Sequence, residues 1–181
     1  MRNDGSTSGV SWPRIGVAVL MLWWTVHSAF RGSWVFIDFA NLAFHEAGHL
    51  FFSFLGSTMH YLGGTLAQLL VPGLLIYHFL ARQQQPIGAA FCVWWVGQSL
   101  VNISFSMANA RELALPLVGG GDYDWNELFF RFGMLGESSV ESISGATRFA
   151  GIAVMLVGLA WAVVLALPEG RRRRIVATLR G

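Results

Sequence analysis

Five apolar runs recur along this chain of 181 residues: Ile15 to Phe30, Trp34 to Gly56, Leu62 to Leu80, Ile87 to Ala108 and Gly151 to Leu167. Runs near twenty residues match the roughly 30 Å hydrocarbon core of a bilayer. In hydrocarbon the backbone must satisfy its own hydrogen bonds, so each run is expected to be a helix. A hydrophobic content of 54% with only 12% charged residues excludes an ordinary soluble domain. The expected architecture is an all-α integral membrane protein, a bundle of about five transmembrane helices with an irregular Gly-rich loop after the fourth. Residues 1–13 read as a flexible polar tail, 14–168 as a single membrane-embedded domain, and 169–181 as a basic C-terminal tail. Arg2 and Arg14 ahead of the first run also fit a secretory signal, but no small-x-small cleavage site follows cleanly, which favours an uncleaved helix.

Charge sets orientation and excludes one class of partner. All twelve basic residues are arginine, and the nominal charge of +2 comes from the cluster Arg171–Arg174. That local cluster is not a surface suited to nucleic acid; the partner it implies is the lipid bilayer. With Arg171–Arg174 cytoplasmic, Arg31 and Arg82 also fall in cytoplasmic loops, as the positive-inside rule asks. The acidic 109–148 segment and the N-terminal tail then face outward, and the C-terminus is cytoplasmic. The single cysteine, Cys92, sits in an apolar run and reads as a packing residue without a disulfide partner.

The second run contains Phe44-His45-Glu46-Ala47-Gly48-His49-Leu50. On a helix His45 and His49 are one turn apart on one face, so both imidazoles can reach one metal ion. Glu46 lies beside them, where it can take a proton from metal-activated water. Ionisable side chains at membrane depth are costly and mark function by default. Asp38, Asn41, His45, His49 and Ser53 follow spacings of three or four, forming a continuous polar stripe. Asp38 and Asn41 read either as oxygen partners for the ligating imidazoles or as polar groups tying helices together.

Catalytic zinc normally has three protein ligands plus water, so the two histidines need a third partner. The candidates are His27, His60, His78, Glu112, Asp122, Asp124 and Glu127. His27 and His78 are lone histidines in apolar helices, ordinarily satisfied by a neighbouring helix; His60, at a helix end, suits an interfacial role. Gly119-Gly120-Gly121-Asp122-Tyr123-Asp124-Trp125 stands out, because glycines let a carboxylate approach a buried site. The same residues also read as a solvated turn, with Asp124 as N-cap of a helix over Trp125–Phe132. The incomplete His/His pair favours Asp124 as third ligand, with Asp122 next. In the fourth run Gln98 and Asn102 either bind a substrate backbone or bond between helices; Pro72-Gly73 predicts a kink in the third.

These residues resemble the site-2 protease-like group of intramembrane zinc metalloproteases: His45-Glu46-Ala47-Gly48-His49 in a hydrophobic helix, further spans, and an acidic motif after a long connection. The resemblance implies His45 and His49 as zinc ligands, Glu46 as the catalytic base, a later aspartate as the third ligand, and a membrane-spanning protein or peptide as substrate. The group's usual Leu-Asp-Gly ending is absent, and Asp124 takes its place only in order along the chain. The chain is also similar to small bacterial membrane proteins with the same histidine helix and a downstream Asp-Trp pair, which implies a bacterial inner membrane. A metal-dependent hydrolase of lipid amides or esters and a non-catalytic metal-binding membrane protein are the competing readings.

Overall fold

The computed structural model describes residues 9–30, 35–115 and 123–178. Seven α-helices account for most of these residues, and there is no strand among them. They are α1 (Trp12–Thr25), α2 (Phe36–Phe52), α3 (Ser57–Tyr77), α4 (Pro86–Ala108), α5 (Asp124–Arg131), α6 (Glu137–Ala166) and α7 (Glu169–Thr178). A π-helical turn prolongs α1 over Val26–Phe30, and another prolongs α3 over His78–Arg82.

Among the described residues, three helices are long and apolar enough to cross a membrane: Ser57–Arg82, Pro86–Ala108 and Glu137–Ala166. These correspond to the third, fourth and fifth apolar runs. The first run is helical over residues 12–30 with Arg14 and His27 inside it, and the second folds into a shorter helix. Helix α2 has 17 residues, about 25 Å at 1.5 Å per residue, a few ångströms short of the hydrocarbon core. Helix α6 is longer than expected, at 30 residues or about 45 Å. Its polar first turns, Glu137 to Arg148, continue the span beyond the apolar stretch. Helix α3 runs unbroken through Pro72, which is fully buried. The C-terminal residues expected as a tail are helical over Glu169–Thr178. The Gly119–Gly121 run and Asp122 lie outside the described residues.

Helix α4 is the centre of the bundle. It packs most extensively on α6 and also on α3; α3 in turn holds α2, and α1 lies against α6. The α4–α6 seam is made by small residues. A Cβ at Gly97 would lie 2.6 Å from the Gly151 carbonyl, and one at Gly158 would lie 2.5 Å from the Trp94 amide nitrogen. Helices in lipid gain little from burying apolar surface against one another, so close backbone approach supplies the packing contact. Trp94, wholly buried, stacks between Trp24 and Phe91 beside that seam. Its indole N–H donates to Thr25 Oγ1 at 2.8 Å.

The polar stripe of α2 divides into two halves with different neighbours. Asp38 and Asn41 are buried against α4, not against the histidines. Asp38 Oδ1 accepts from Gln98 Nε2 at 2.6 Å and Asn102 Nδ2 at 3.1 Å. Its Oδ2 accepts the Val35 backbone N–H at 2.7 Å, which caps the start of α2. Asn41 donates to Gln98 Oε1 at 2.6 Å, and its own oxygen accepts from Trp95 and Ser99. Gln68 of α3 closes the set on Asn102 Oδ1. The carboxamides of α4 therefore bond between helices, and the oxygens of Asp38 and Asn41 reach neither imidazole. Ser53 also departs from the expected stripe; it is exposed and bonds back to the Leu50 carbonyl.

Asp38→Ala is therefore expected to lower stability by about 1–3 kcal/mol, since the buried Gln98 amide and the half-buried Asn102 amide lose their acceptor. Thermal unfolding in detergent reads that loss. The affinity of the two histidines for a divalent metal ion should stay within about threefold of native in the same variant, because Asp38 acts through packing rather than through the histidines. A large fall in affinity would contradict this assignment.

Candidate metal centre

The motif's own glycine brings α3 against α2. A Cβ on Gly48 would collide with the Gly63 carbonyl, and one on Gly63 would lie 2.6 Å from the Gly48 carbonyl. Neither position admits a side chain while the helices stay this close. One residue further along α3, Gly64 faces His45. A Cβ there would sit 2.6–2.7 Å from three atoms of the imidazole ring, so the missing side chain is the space His45 occupies.

On α2, the His45 and His49 rings have centroids 4.7 Å apart and planes almost perpendicular. Asp124 begins α5 and reaches both. Its Oδ2 lies 2.8 Å from His45 Nε2 and 3.2 Å from His49 Nε2. The side chains are 21%, 13% and 17% exposed for His45, His49 and Asp124, largely sheltered but still reachable. Burial by itself raises the carboxyl pKa of Asp124; the hydrogen bonds to His45 and His49, with their charge, outweigh it and hold the group below its ordinary value.

One ligand atom from each of the three residues lies within 4.8 Å of the other two. Zinc bonds of about 2.0–2.2 Å in a tetrahedron place ligand atoms roughly 3.3 Å apart, close to the two distances onto Asp124. Two imidazoles and one carboxylate form a donor set for a divalent metal ion. They also stop one ligand short of four, as catalytic rather than structural zinc sites do.

The neighbouring helices fix these ligands. His49 Nδ1 donates to the His60 carbonyl at 2.8 Å, which leaves Nε2 as the nitrogen aimed at Asp124. His60 returns the contact, its Nδ1 donating to the His49 carbonyl at 3.3 Å. Its ring lies 5.1 Å from that of His49, so the expected interfacial histidine is a wall of the site. Helix α5 is clamped at both ends. Arg131 donates to Ser57 Oγ at 2.9 Å and lies 5.0 Å over the Tyr61 ring. Asn126 donates to the Ala110 carbonyl at 2.7 Å, and the Tyr123 hydroxyl sits 2.6 Å from the Leu113 carbonyl.

Asp124 is thus brought to both histidines and does not cap its helix; the N-cap position is Tyr123, and no side chain caps it. Glu46 is exposed beside the cluster and, among the described residues, makes no hydrogen bond or ion pair. The remaining candidates lie elsewhere or are engaged. His27 bonds the Trp23 carbonyl and stacks on that indole. His78 packs on Phe79, Glu127 pairs with Arg131, and Glu112 is exposed. Asp122 lies outside the described residues. Gly64 and the His60 carbonyl were not apparent from the motif alone. The signal for the first was the adjacent pair Gly63-Gly64 in an otherwise apolar helix.

Gly64→Ala separates the metal site from the fold. The added methyl displaces the His45 ring, and zinc affinity is expected to fall about 10–100-fold, the range typical of disturbed ligand orientation. Helix content and thermal midpoint should change little, because the displaced group is the end of a side chain rather than backbone. Isothermal titration with zinc, alongside circular dichroism, measures both.

Three helices mark a membrane protein, and His45, His49 and Asp124 lie close enough to hold a metal ion. No protein family, curated protein or solved structure matches this chain.

Proposed function

We propose that this protein is a zinc-dependent endopeptidase of the bacterial inner membrane, hydrolysing peptide bonds of membrane-spanning substrates, in the manner of the site-2 protease-like group. The observation that carries the reading is the meeting of Asp124 with both histidines of a His-Glu-Ala-Gly-His helix, 79 positions along the chain from His45. In this reading α1 and α2 join the three longer helices within the bilayer, and the C-terminal arginines lie on the cytoplasmic side.

His45, His49 and Asp124 would hold the ion. When bound, zinc supplies a Lewis acid that polarises a carbonyl and lowers the pKa of water to about 7. Glu46 follows His45 directly and is exposed, so it is accessible to water and to substrate. It accepts a proton from the attacking water as the new C–O bond forms. It then delivers that proton to the leaving nitrogen as the C–N bond breaks. His60 keeps His49 oriented throughout by its carbonyl.

The test is cleavage of a membrane-spanning peptide by purified protein in phosphatidylethanolamine–phosphatidylglycerol vesicles. Cleavage that stops on chelation and returns with zinc supports the proposal. Hydrolysis of the lipids instead, or zinc binding with no hydrolysis of either, overturns it.

A further inference from the structure

The ends of the three long helices fix the depth of the metal centre. The start of α3, the end of α4 and the start of α6 all meet near α5. Arg131 of α5 donates to Oγ of Ser57, the first residue of α3, and Asn126 donates to the Ala110 carbonyl just past α4. Arg111 pairs at 3.2 Å with Glu137, the first residue of α6, and these side chains are 45% and 71% exposed. Exposed charges need water or headgroups around them, so this end of the bundle belongs at one boundary of the bilayer. The opposite end carries the arginines. Arg82 closes the π-helical turn after α3, Arg14 donates to the Leu165 carbonyl near the end of α6, and Arg171–Arg174 follow in α7.

The metal centre belongs to the first of these ends. His60, whose carbonyl holds His49, and Gly64, which lies against His45, are three and seven residues past Ser57, about 5 and 10 Å along α3. The stretch Ser57–Arg82 has 26 residues, about 39 Å, so its midpoint is about 20 Å from either end. Gln68, one turn beyond Gly64, already belongs to the amide set around Asp38 and Asn102. The ligands therefore lie about 10 Å short of mid-depth, with that buried network beneath them.

We propose that the metal centre works from the face opposite the arginines, and that the bond it cleaves lies within about two turns of the end of a membrane-spanning segment, not at mid-span. The proposal rests on the peptidase reading for its chemistry and adds where along the substrate the cut falls. The terminal turn of a helix already has carbonyls or N–H groups without intrahelical partners. A mid-span turn has every backbone group bonded, and hydrocarbon offers nothing to replace those bonds. A bond near the end of the span thus reaches the ion with the least unwinding, at the depth where this centre lies.

Sealed phosphatidylethanolamine–phosphatidylglycerol vesicles holding the zinc-loaded protein in unequal orientation test both halves. In one aliquot, external trypsin removes the residues beyond Arg171 only from copies whose arginines face out, and mass spectrometry of that loss scores orientation. In another, external EDTA, too highly charged to cross the bilayer, strips zinc. The fraction of zinc lost quickly should equal the fraction of copies with protected arginines, and the remainder should leave about tenfold or more slowly. A fast fraction matching the copies with exposed arginines, or one slow phase for all copies, overturns the proposal. With a membrane-spanning Leu/Ala peptide, the cut should fall within about seven residues of one end of its apolar stretch. A cut at the centre overturns the proposal and leaves the peptidase reading standing. Chelation needs no cleavage. Zinc loss from the expected face by a protein that cuts no peptide would sink the peptidase reading, and the position of the cut with it, while the depth of the site stands.

Discussion

Replacing Glu46 by Gln is expected to leave zinc affinity within about threefold of native while slowing hydrolysis about 10²–10⁴-fold, the usual contribution of a positioned general base. The substitution keeps the shape of the side chain and removes only its ability to accept a proton. Glu46 touches none of His45, His49 and Asp124 through a hydrogen bond or ion pair, so the ligand set has no reason to change. Zinc titration and a vesicle cleavage assay on one preparation read the two quantities together. Loss of zinc with loss of activity would place Glu46 among the ligands. Full activity would remove it from the chemistry.

Asp124→Ala has the opposite signature. Structural zinc binding contributes about 10–16 kcal/mol over four ligands, so one ligand corresponds to roughly 3 kcal/mol, or about a hundredfold in affinity. The variant also removes the oxygen that both imidazoles share, so their remaining mutual orientation rests on the His60 carbonyl and the space at Gly64. Asp124→Asn, nearly isosteric but uncharged, should lose most of the same affinity and thereby separates ligation from packing. Unchanged zinc affinity in both variants would show that the third ligand is another residue.

Much of the site was legible because its chemistry is local. The spacing of His45 and His49 needs only a helix to bring two imidazoles together, and the glycines ahead of Asp124 indicated where a carboxylate could approach. The assignment of Asp38 and Asn41 was harder, since periodicity shows which residues share a face but not what lies opposite. Their partners Gln98 and Asn102 lie 60 and 64 positions from Asp38, on α4, and either pairing would produce the same stripe. The number of helices able to span followed composition for α3, α4 and α6. It failed for α2 because the α-helix ends at Phe52 and passes through a short 3-10 turn to Gly56, whose φ of 101° closes the apolar run. His60 is a parallel case. Its position at a helix end was clear, but the glycine contact that sets that end against His49 was not.

Helix α5 is eight residues long, well under the 12–15 at which an isolated helix begins to hold together in water. Its order is borrowed from Ser57, Tyr61 and the Ala110 carbonyl at its flanks and from the histidines at its first residue. Capture of an ion at Asp124 is therefore expected to be coupled to the stability of this helix, and a calorimeter would record their sum. Amide protons of Leu128 and Phe129 should accordingly exchange faster after chelation, making a backbone helix the reporter of an ion that touches only its first side chain.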